Sequence, residues 1–387
     1  MQTPGRIAAI VLAGGYSSRM QSFKPLLPWA GTCVIERAVR TFLDSGTMDV
    51  TVVVGHRGEE LRPILERLRV RCVVNPEYPR GMYSSLVAGV RSLGEEVRAC
   101  FVLPADMPAI RGRTIALLAR SHCRAEPSVV YPVFRGQRGH PPLISSRLFP
   151  AIGSGEGREG LRGVLSQYEG EAREVRVLDE GVLMDLDTPE DYARTSRACA
   201  DRSIPTEAEC EALLMARNLP DALLRHARTV SEVARRLGEG LNRFGLDLDV
   251  RLLGAAGLLH DVAKGRRDHA RAGARLLRRL GFPEVGEVIG SHTDIDLRQA
   301  GTLGESAIVH LADKMVKGED IVSPRERFRA TLRKCRGDAI ARHAIAKRWR
   351  DARAITRAVE QILRAPVEDF ASESEAPSSS QTRTDEA

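Results

Sequence analysis

The sequence predicts an α/β domain built on a mostly parallel sheet, followed by an all-α domain. Two patterns carry this expectation. Up to about residue 200, short β-branched runs alternate with helical patterns; beyond it the strand-like runs stop and apolar stripes at helical spacing take over. A chain of 387 residues also exceeds one ordinary core, so two domains are expected.

Strands are expected over 7–13, 50–54, 70–74, 99–103, 128–133 and 174–178, where Val, Ile and other apolar residues cluster. Helical spacing covers 34–45, 59–68, 82–93 and 114–121 between them. This alternation describes a Rossmann-like sheet, whose ligands belong beyond the carboxyl ends of the strands. The polar connector Asp201-Arg-Ser-Ile-Pro205 sets a first domain at 1–200 and a second at 205–365. In the second, Leu223, Ala227, Val230, Ala234 and Leu237 share one helix face, and Gly245, Gly281-Phe-Pro283 and Ser323-Pro324 punctuate the remainder. No internal repeat relates the halves. Residues 366–387, rich in Ser, Glu and Thr from Ser372 onward, are expected to be a disordered tail.

Composition narrows the function classes. The formal charge of +7 is spread along the chain as isolated arginines, which suits anionic small substrates and gives no basic-aromatic alternation of a nucleic-acid binder. The seven cysteines have no C-x-x-C spacing, so neither a zinc finger nor a disulfide framework is expected. No apolar run approaches the roughly 20 residues of a membrane span. A cytoplasmic location is the expectation.

Lys24 is the only lysine before residue 264 in a chain that otherwise writes its positive charge as arginine. It closes the run Leu12-Ala13-Gly14-Gly15-Tyr-Ser-Ser18-Arg19-Met-Gln-Ser-Phe-Lys24, a strand end, a glycine turn rich in backbone N–H donors, then two cations. That is a way to hold a polyphosphate. The run fits neither G-x-x-x-x-G-K-[ST] nor G-x-G-x-x-G. Asp106 follows the strand-like Val102-Leu-Pro-Ala, where a carboxylate can hold Mg²⁺ between phosphates or merely cap a turn before Pro108. In Met184-Asp-Leu-Asp187-Thr-Pro189, Asp187 or Thr188 is a helix N-cap candidate with proline following.

The run resembles the L-x-G-G-x-S-x-R-M-G-x-x-K signature of nucleotidyltransferases related to the molybdenum cofactor guanylyl- and cytidylyltransferases, with Gln21 in place of the glycine after Met. The resemblance implies nucleotide binding by Leu12, Ala13, Gly14, Gly15, Ser18, Arg19 and Lys24, with Arg19 and Lys24 on the phosphates, magnesium on Asp106, and a second acid at Asp187 for metal or substrate. Asn75-Pro-Glu-Tyr-Pro-Arg-Gly81-Met-Tyr-Ser84-Ser85-Leu looks like the N-P-x-x-x-x-G-M-x-x-S-L element of the cytidylyl branch. It adds Asn75, Gly81, Ser84 and Ser85 to the nucleotide site. Arg138-Gly-His140-Pro resembles that branch's segment near the pterin substrate. Leu12-Ala-Gly-Gly15 is more typical of the guanylyl branch, so CTP is favoured over GTP without excluding it.

Six of nine histidines fall after residue 225. His226 lies on the apolar face with Val230 and Val233, and His260-Asp261 ends an apolar helical run. Buried His and Asp on separate helices are more economically read as metal ligands than as isolated core residues. The set His226, His260-Asp261 and Asp313 resembles the H…HD…D signature of the all-helical HD-domain metal-dependent phosphohydrolases, with Leu258-Leu-His-Asp-Val-Ala-Lys264 close to the family's form. The resemblance implies one or two divalent metals (Fe, Mn, Mg or Zn), His269 and His292 as ligands of the second, Asp261 bridging, and Lys264 on a substrate phosphate. His310 is a weaker rival ligand.

The expected protein is bifunctional. One half transfers CMP, or GMP, from an NTP to molybdopterin or molybdenum cofactor with release of pyrophosphate, and a molybdoenzyme is a candidate partner. The other half hydrolyses a phosphate ester or nucleotide. The alternative is a sugar- or alditol-phosphate nucleotidyltransferase with a regulatory, nucleotide-binding HD module.

Overall fold

The structure is a computed structural model and describes residues 6–20, 22–154, 159–199, 202–292, 303–334 and 339–372. Gln21 and residues 373–387 of the expected tail lie outside these. The chain divides into two compact units, Met1–Arg202 and Ser203–Ala387.

In the first unit the strands are β1 (Arg6–Ala13), a small hairpin of β2 (Pro28–Trp29) and β3 (Thr32–Cys33), then β4 (Asp49–Val54), β5 (Arg71–Val74), β6 (Val97–Pro104), β7 (Val129–Phe134), β8 (Gln137–Arg138), β9 (Leu143–Ser145) and β10 (Ala172–Arg176). The main sheet runs β10-β7-β9-β6-β1-β4-β5, with β8 paired to β7. β1 pairs in parallel with both β4 and β6. These three strands are apolar almost throughout because helices cover both faces of a parallel sheet. Alternate residues serve opposite layers: Ala9, Val11, Val52, Phe101 and Leu103 pack with Phe42, whereas Ala8, Ile10, Val53 and Val102 pack with Leu86.

The expected strands all form, with ends displaced by a few residues. β9 was not foreseen. Three residues long, it enters the sheet antiparallel between β6 and β7 and makes the sheet mixed, and nothing in so short a run separates it from a loop. The short helices Phe149–Ser154 and Gly160–Ser166 were missed for the same reason.

Among its described residues the second unit is helical apart from the hairpin of β11 (Val316–Lys317) and β12 (Asp320–Ile321). A capping box between Thr206 and Glu209 starts helix Glu207–Ala216, and Asp249 caps helix Val250–Leu259 by accepting from the Arg251 and Leu252 amides. Helix Asp221–Arg243 buries Val230, Val233, Ala234, Leu237 and Leu241 and crosses Val250–Leu259 closely. Gly257 permits this crossing, because a Cβ there would lie 2.5 Å from Ser231 Cα. The stretch expected as a tail begins with helix Val367–Ser372, whose Val367 and Ala371 are buried; two apolar residues at helical spacing suffice to hold that turn on the fold. Among the described residues no helix is long and apolar enough to cross a membrane.

Candidate active sites

The first site forms where β1 and β6 end. The Ala105 amide donates to the Leu12 carbonyl at 3.0 Å, which prolongs the β1–β6 pairing and brings the glycine loop beside Asp106. The Leu186 amide donates to the Asp106 carbonyl at 3.0 Å and carries Asp185 and Asp187 to the same place. Lys24, 9% exposed, reaches across: its Nζ lies 3.0 Å from Asp106 Oδ2 and 2.8 Å from Asp187 Oδ1. Arg19 Nη1 donates to Asp187 Oδ2 at 2.7 Å. Burial acts to lower the Lys24 pKa, but Asp187 and Asp106 outweigh it and hold the ammonium above its usual value. Lys24 in turn holds Asp187 below the ordinary carboxylate range.

The capping and catalytic readings of 187–189 belong to different residues. Thr188 caps helix Pro189–Cys199, exchanging hydrogen bonds with Asp191 in a reciprocal box, and this leaves Asp187 for Lys24 and Arg19. Asp185, which the sequence reading passed over, has its pKa raised by burial and by the charges of Asp187 and Asp106. Its signal was available in the alternation Asp185-Leu-Asp187, which sends two acids to one side of an extended segment.

A cleft of about 370 Å³ opens beside these groups, lined by Leu12 to Ser17, Lys24, Tyr78, Gly81, Met82, Ser85 and Asp106. Gly14 sits against its floor, where a Cβ would approach Ser85 Oγ to 2.9 Å, and Gly81 takes φ +97° at the start of helix Met82–Arg91. Asn75 is buried and acts through its neighbours: its Nδ2 donates to Ser84 Oγ at 2.9 Å and Ser85 Oγ at 3.0 Å. Ser17, not Ser18, turns toward the cleft and accepts from the Lys24 amide; Ser18 is exposed at the start of a 3₁₀ turn. Tyr16 and Tyr78 rings meet at 5.5 Å, with His56 beside them. No sequence pattern pointed to Ser17 or Tyr78.

His140 is no surface histidine. Burial pushes its pKa down, against the charges of Asp106 and Asp185. Arg138 is not brought to the Lys24 cluster: its guanidinium is bonded to Glu169 and Glu174 and covers the Tyr131 ring.

The second site gathers every expected ligand. Two groups of donor atoms, His226 with His260 and Asp261, and Asp261 with His269 and His292, each lie close enough to share an ion. Asp313 Oδ1 is 3.3 Å from His226 Nε2 and 3.8 Å from His260 Nε2, and Asp261 Oδ1 is 3.2 Å from His269 Nε2 and 3.8 Å from His292 Nε2. Three imidazoles are oriented from behind: Nδ1 of His226 donates to Gly318 at 3.0 Å, that of His260 to Gly257 at 2.7 Å and that of His292 to Ile289 at 2.7 Å. A neutral ring so bound offers only a lone pair at Nε2. Lone pairs facing carboxylates are unfavourable unless a cation lies between them, and His260 Nε2 is buried with no hydrogen-bond partner among the described residues. The donor set therefore fits a divalent metal.

The same carboxylates also attract a proton, so proton and metal compete for these rings. Burial opposes a charge on His260, yet Asp261 and Asp313 hold its pKa above the usual value; burial lowers that of His292 to about 3. His310 lies behind the site, donating from Nδ1 to the His292 carbonyl at 2.7 Å, so it positions a candidate ligand. Lys264 Nζ lies 2.9 Å from Asp261 Oδ2. Lys314 and Arg327, which the sequence reading missed among so many cations, both pair with Asp313.

Two family models match the chain, the MobA-like NTP transferase domain over residues 9–172 and the HD domain over residues 223–317. The chain is 27% identical over 187 residues to the molybdenum cofactor cytidylyltransferase of Escherichia coli (strain K12), spanning 48% of this chain and 93% of that one. It is 30% identical over 197 residues to the nicotine blue oxidoreductase of Paenarthrobacter nicotinovorans, spanning 49% and 95%. It is 29% identical over 211 residues to the purine catabolism protein PucB of Bacillus subtilis (strain 168), spanning 51% and 99%. With the glycine loop, Lys24 and the acids assembled in one half and the His/Asp cluster in the other, the chain belongs to the MobA-like NTP transferases through its first half, which is fused to an HD domain.

Proposed function

We propose that the first unit transfers CMP, in preference to GMP, from an NTP to a molybdopterin-type cofactor with release of pyrophosphate, and that the second is a metal-dependent phosphohydrolase. The observation that carries the transferase reading is the convergence of Lys24 on Asp106 and Asp187 at the mouth of a cleft floored by Gly14 and Ser85. Two carboxylates meeting at one point of positive charge are a hard-oxygen donor set suited to Mg²⁺. When bound there, the ion offsets phosphate charge and polarises a phosphoryl oxygen. The chain's own residues do the rest. Lys24 and Arg19 exchange their carboxylate contacts for the NTP phosphates, backbone amides of the glycine loop hold the same anion, and the acceptor's phosphate attacks the α-phosphorus without a protein nucleophile. Neutral His140 stands on the acid side of the site, where an acceptor contact is reasonable, whereas the ion-paired Arg138 is a weaker candidate.

The acceptor is the part most open to replacement, because relatives of similar identity carry names from nicotine and purine metabolism. Purified protein with Mg²⁺, molybdenum cofactor and CTP is expected to release pyrophosphate faster than with GTP. No release above an Asp106→Ala control would sink the transferase reading, and release with a sugar phosphate in place of the pterin would favour the alternative acceptor. For the second unit, Asp261→Ala is expected to lose bound metal and phosphatase activity together.

A further inference from the structure

Arginines are spread along the whole chain, but the acids that offset them are not. Residues 324–364 hold thirteen of the 58 lysines and arginines and four of the 51 acids, a net charge of +9 where the whole chain carries +7. The remainder of the chain nets −2. This stretch lies beyond the HD match, which ends at residue 317.

Its long helix, Ala339–Leu363, separates two faces. Ile345, Ala352, Ile355, Val359 and Leu363 are buried on one of them. Arg350, Arg353 and Arg357 are exposed on the other, at steps of three and four residues, which set each about 4.5–6 Å along the axis from the next. Lys347, also exposed, extends the row by one turn. Nearby acids do not offset it: Asp351 is half-buried, and Glu360 accepts from the Val367 amide at 3.4 Å. Among the described residues none of the three guanidinium groups meets a carboxylate. Elsewhere such side chains are compensated one turn away, Arg62 by Glu59 at 3.1 Å, Arg80 by Glu77 at 2.9 Å and Arg194 by Asp191 at 2.6 Å. Like charges at three- and four-residue spacing cost a helix stability, so a row kept against that cost points to an anion outside the fold. Helix Pro324–Lys334, packed on the first through the Phe328 and Trp349 rings at 5.1 Å, exposes Arg325 and Arg329 and adds to the positive field.

The surroundings of the row select among anions. Its exposed neighbours on the helix are His343, Ala346, Ala354 and Gln361, and no large apolar side chain is exposed among the described residues of this helix. A helix that settles on a membrane needs large apolar residues beside its cations, and a protein interface needs an apolar or aromatic anchor. The phosphates of a nucleic acid need only the cations. We propose that helix Ala339–Leu363 is a docking surface for the phosphate backbone of a nucleic acid, held through Arg350, Arg353 and Arg357 without regard to base sequence. Trp349 packs on Phe328 instead of standing free for a base, which fits contact with the backbone alone. Neither enzymatic activity proposed above is needed for it.

The full-length protein is titrated against fluorescein-labelled RNA and duplex DNA of about 20 nucleotides and 20 base pairs, with anisotropy read from about 50 to 200 mM KCl and the probes checked on a gel. Three phosphate contacts give a slope of about −2.7 or steeper in log K against log[KCl] for the duplex, so affinity falls about 40-fold or more over this range. Arg350→Gln, Arg353→Gln and Arg357→Gln together are expected to keep the circular dichroism spectrum, to weaken binding about tenfold or more at the lowest salt, and to flatten the slope by about 2–3. Should that variant lose helicity, each single change, flattening the slope by about 0.9, carries the same test. Arg62→Gln, Arg80→Gln and Arg194→Gln together remove the same charge from acid-paired positions and are expected to bind as the parent does. Binding of either probe with these dependences upholds the proposal. No binding at the lowest salt, a slope unchanged by the substitutions on the helix, or an equal loss in the acid-paired control overturns it. So does tighter binding to phosphatidylserine vesicles than to either nucleic acid, which would make the row a membrane contact.

Discussion

Lys24 shows how much a single side chain can decide. Its ammonium joins Asp106, at the end of β6, to Asp187, which arrives from a segment 81 residues further along the chain. Substituting methionine keeps most of the stem but leaves two carboxylates facing each other and the phosphates without their cation. Lys24→Met is expected to lower kcat for pyrophosphate release by about 10²–10³, the usual effect of removing one preorganised electrostatic contact. Lys24→Arg is expected to recover little, because a planar fork cannot occupy the point between two acids that a compact ammonium fills. Steady-state kinetics on both variants checks this; an Arg variant near parental activity would show that charge alone matters. This residue was legible in the sequence through its isolation among arginines. Asp185 and Ser17 were not, since their positions depend on the backbone bond from Leu186 to Asp106 and on the turn at the glycine loop, both settled by tertiary contacts.

At the level of elements, helix Gly112–Ala125 has a buried polar group at each end, and the one at its start ties it down. Asp179 accepts from the Arg111 amide at 2.8 Å, from Thr114 Oγ1 at 2.6 Å and from Arg202 Nη2 at 2.6 Å, so one carboxylate closes the helix N-terminus and neutralises a buried guanidinium. Asp179→Ala takes the shared carboxylate away from the buried guanidinium and the helix donors and is expected to destabilise the first unit by about 3–5 kcal/mol, read from the urea midpoint. At the other end His122 is buried and neutral, its pKa lowered by burial despite the opposing charge of Glu126. The unfolded chain therefore takes up this proton first. The stability that neutral His122 allows is complete above the unfolded pKa of about 6.5 and is lost as pH falls toward the lowered folded value. His122→Asn removes this term, so the parent's advantage should shrink between pH 7.5 and 5.5; parallel urea midpoints for the two proteins would contradict it. The sequence disclosed the helix itself through its apolar spacing, and disclosed the six long strands through their composition. It could not disclose β9 or the role of Asp179, because a three-residue strand and a buried cap are defined by partners distant in the chain.

For the whole molecule, the distribution of chemistry follows the division of the fold. Each unit has its own buried core and its own polar centre: the first gathers oxygen donors and two cations around strand ends, the second gathers imidazoles from separate helices. Ligand softness separates them further, since carboxylates and phosphate oxygens suit Mg²⁺ while imidazole-rich sites suit transition ions. A chelator strong enough to strip the second centre is thus expected to spare transfer once Mg²⁺ is restored in excess. The same separation governs mutations. Asp261→Ala removes the carboxylate shared by both donor groups of the second centre and should abolish its stoichiometric metal, while KM for NTP and the rate of pyrophosphate release remain within about twofold of the parent, as expected for centres built from the residues of different units. Asp106→Ala should do the reverse, losing transfer and keeping metal. Measuring both activities and metal content on the two variants decides the matter: a fall in transferase rate in metal-free Asp261→Ala would mean that the HD centre regulates its neighbour, the outcome the alternative reading of this chain requires.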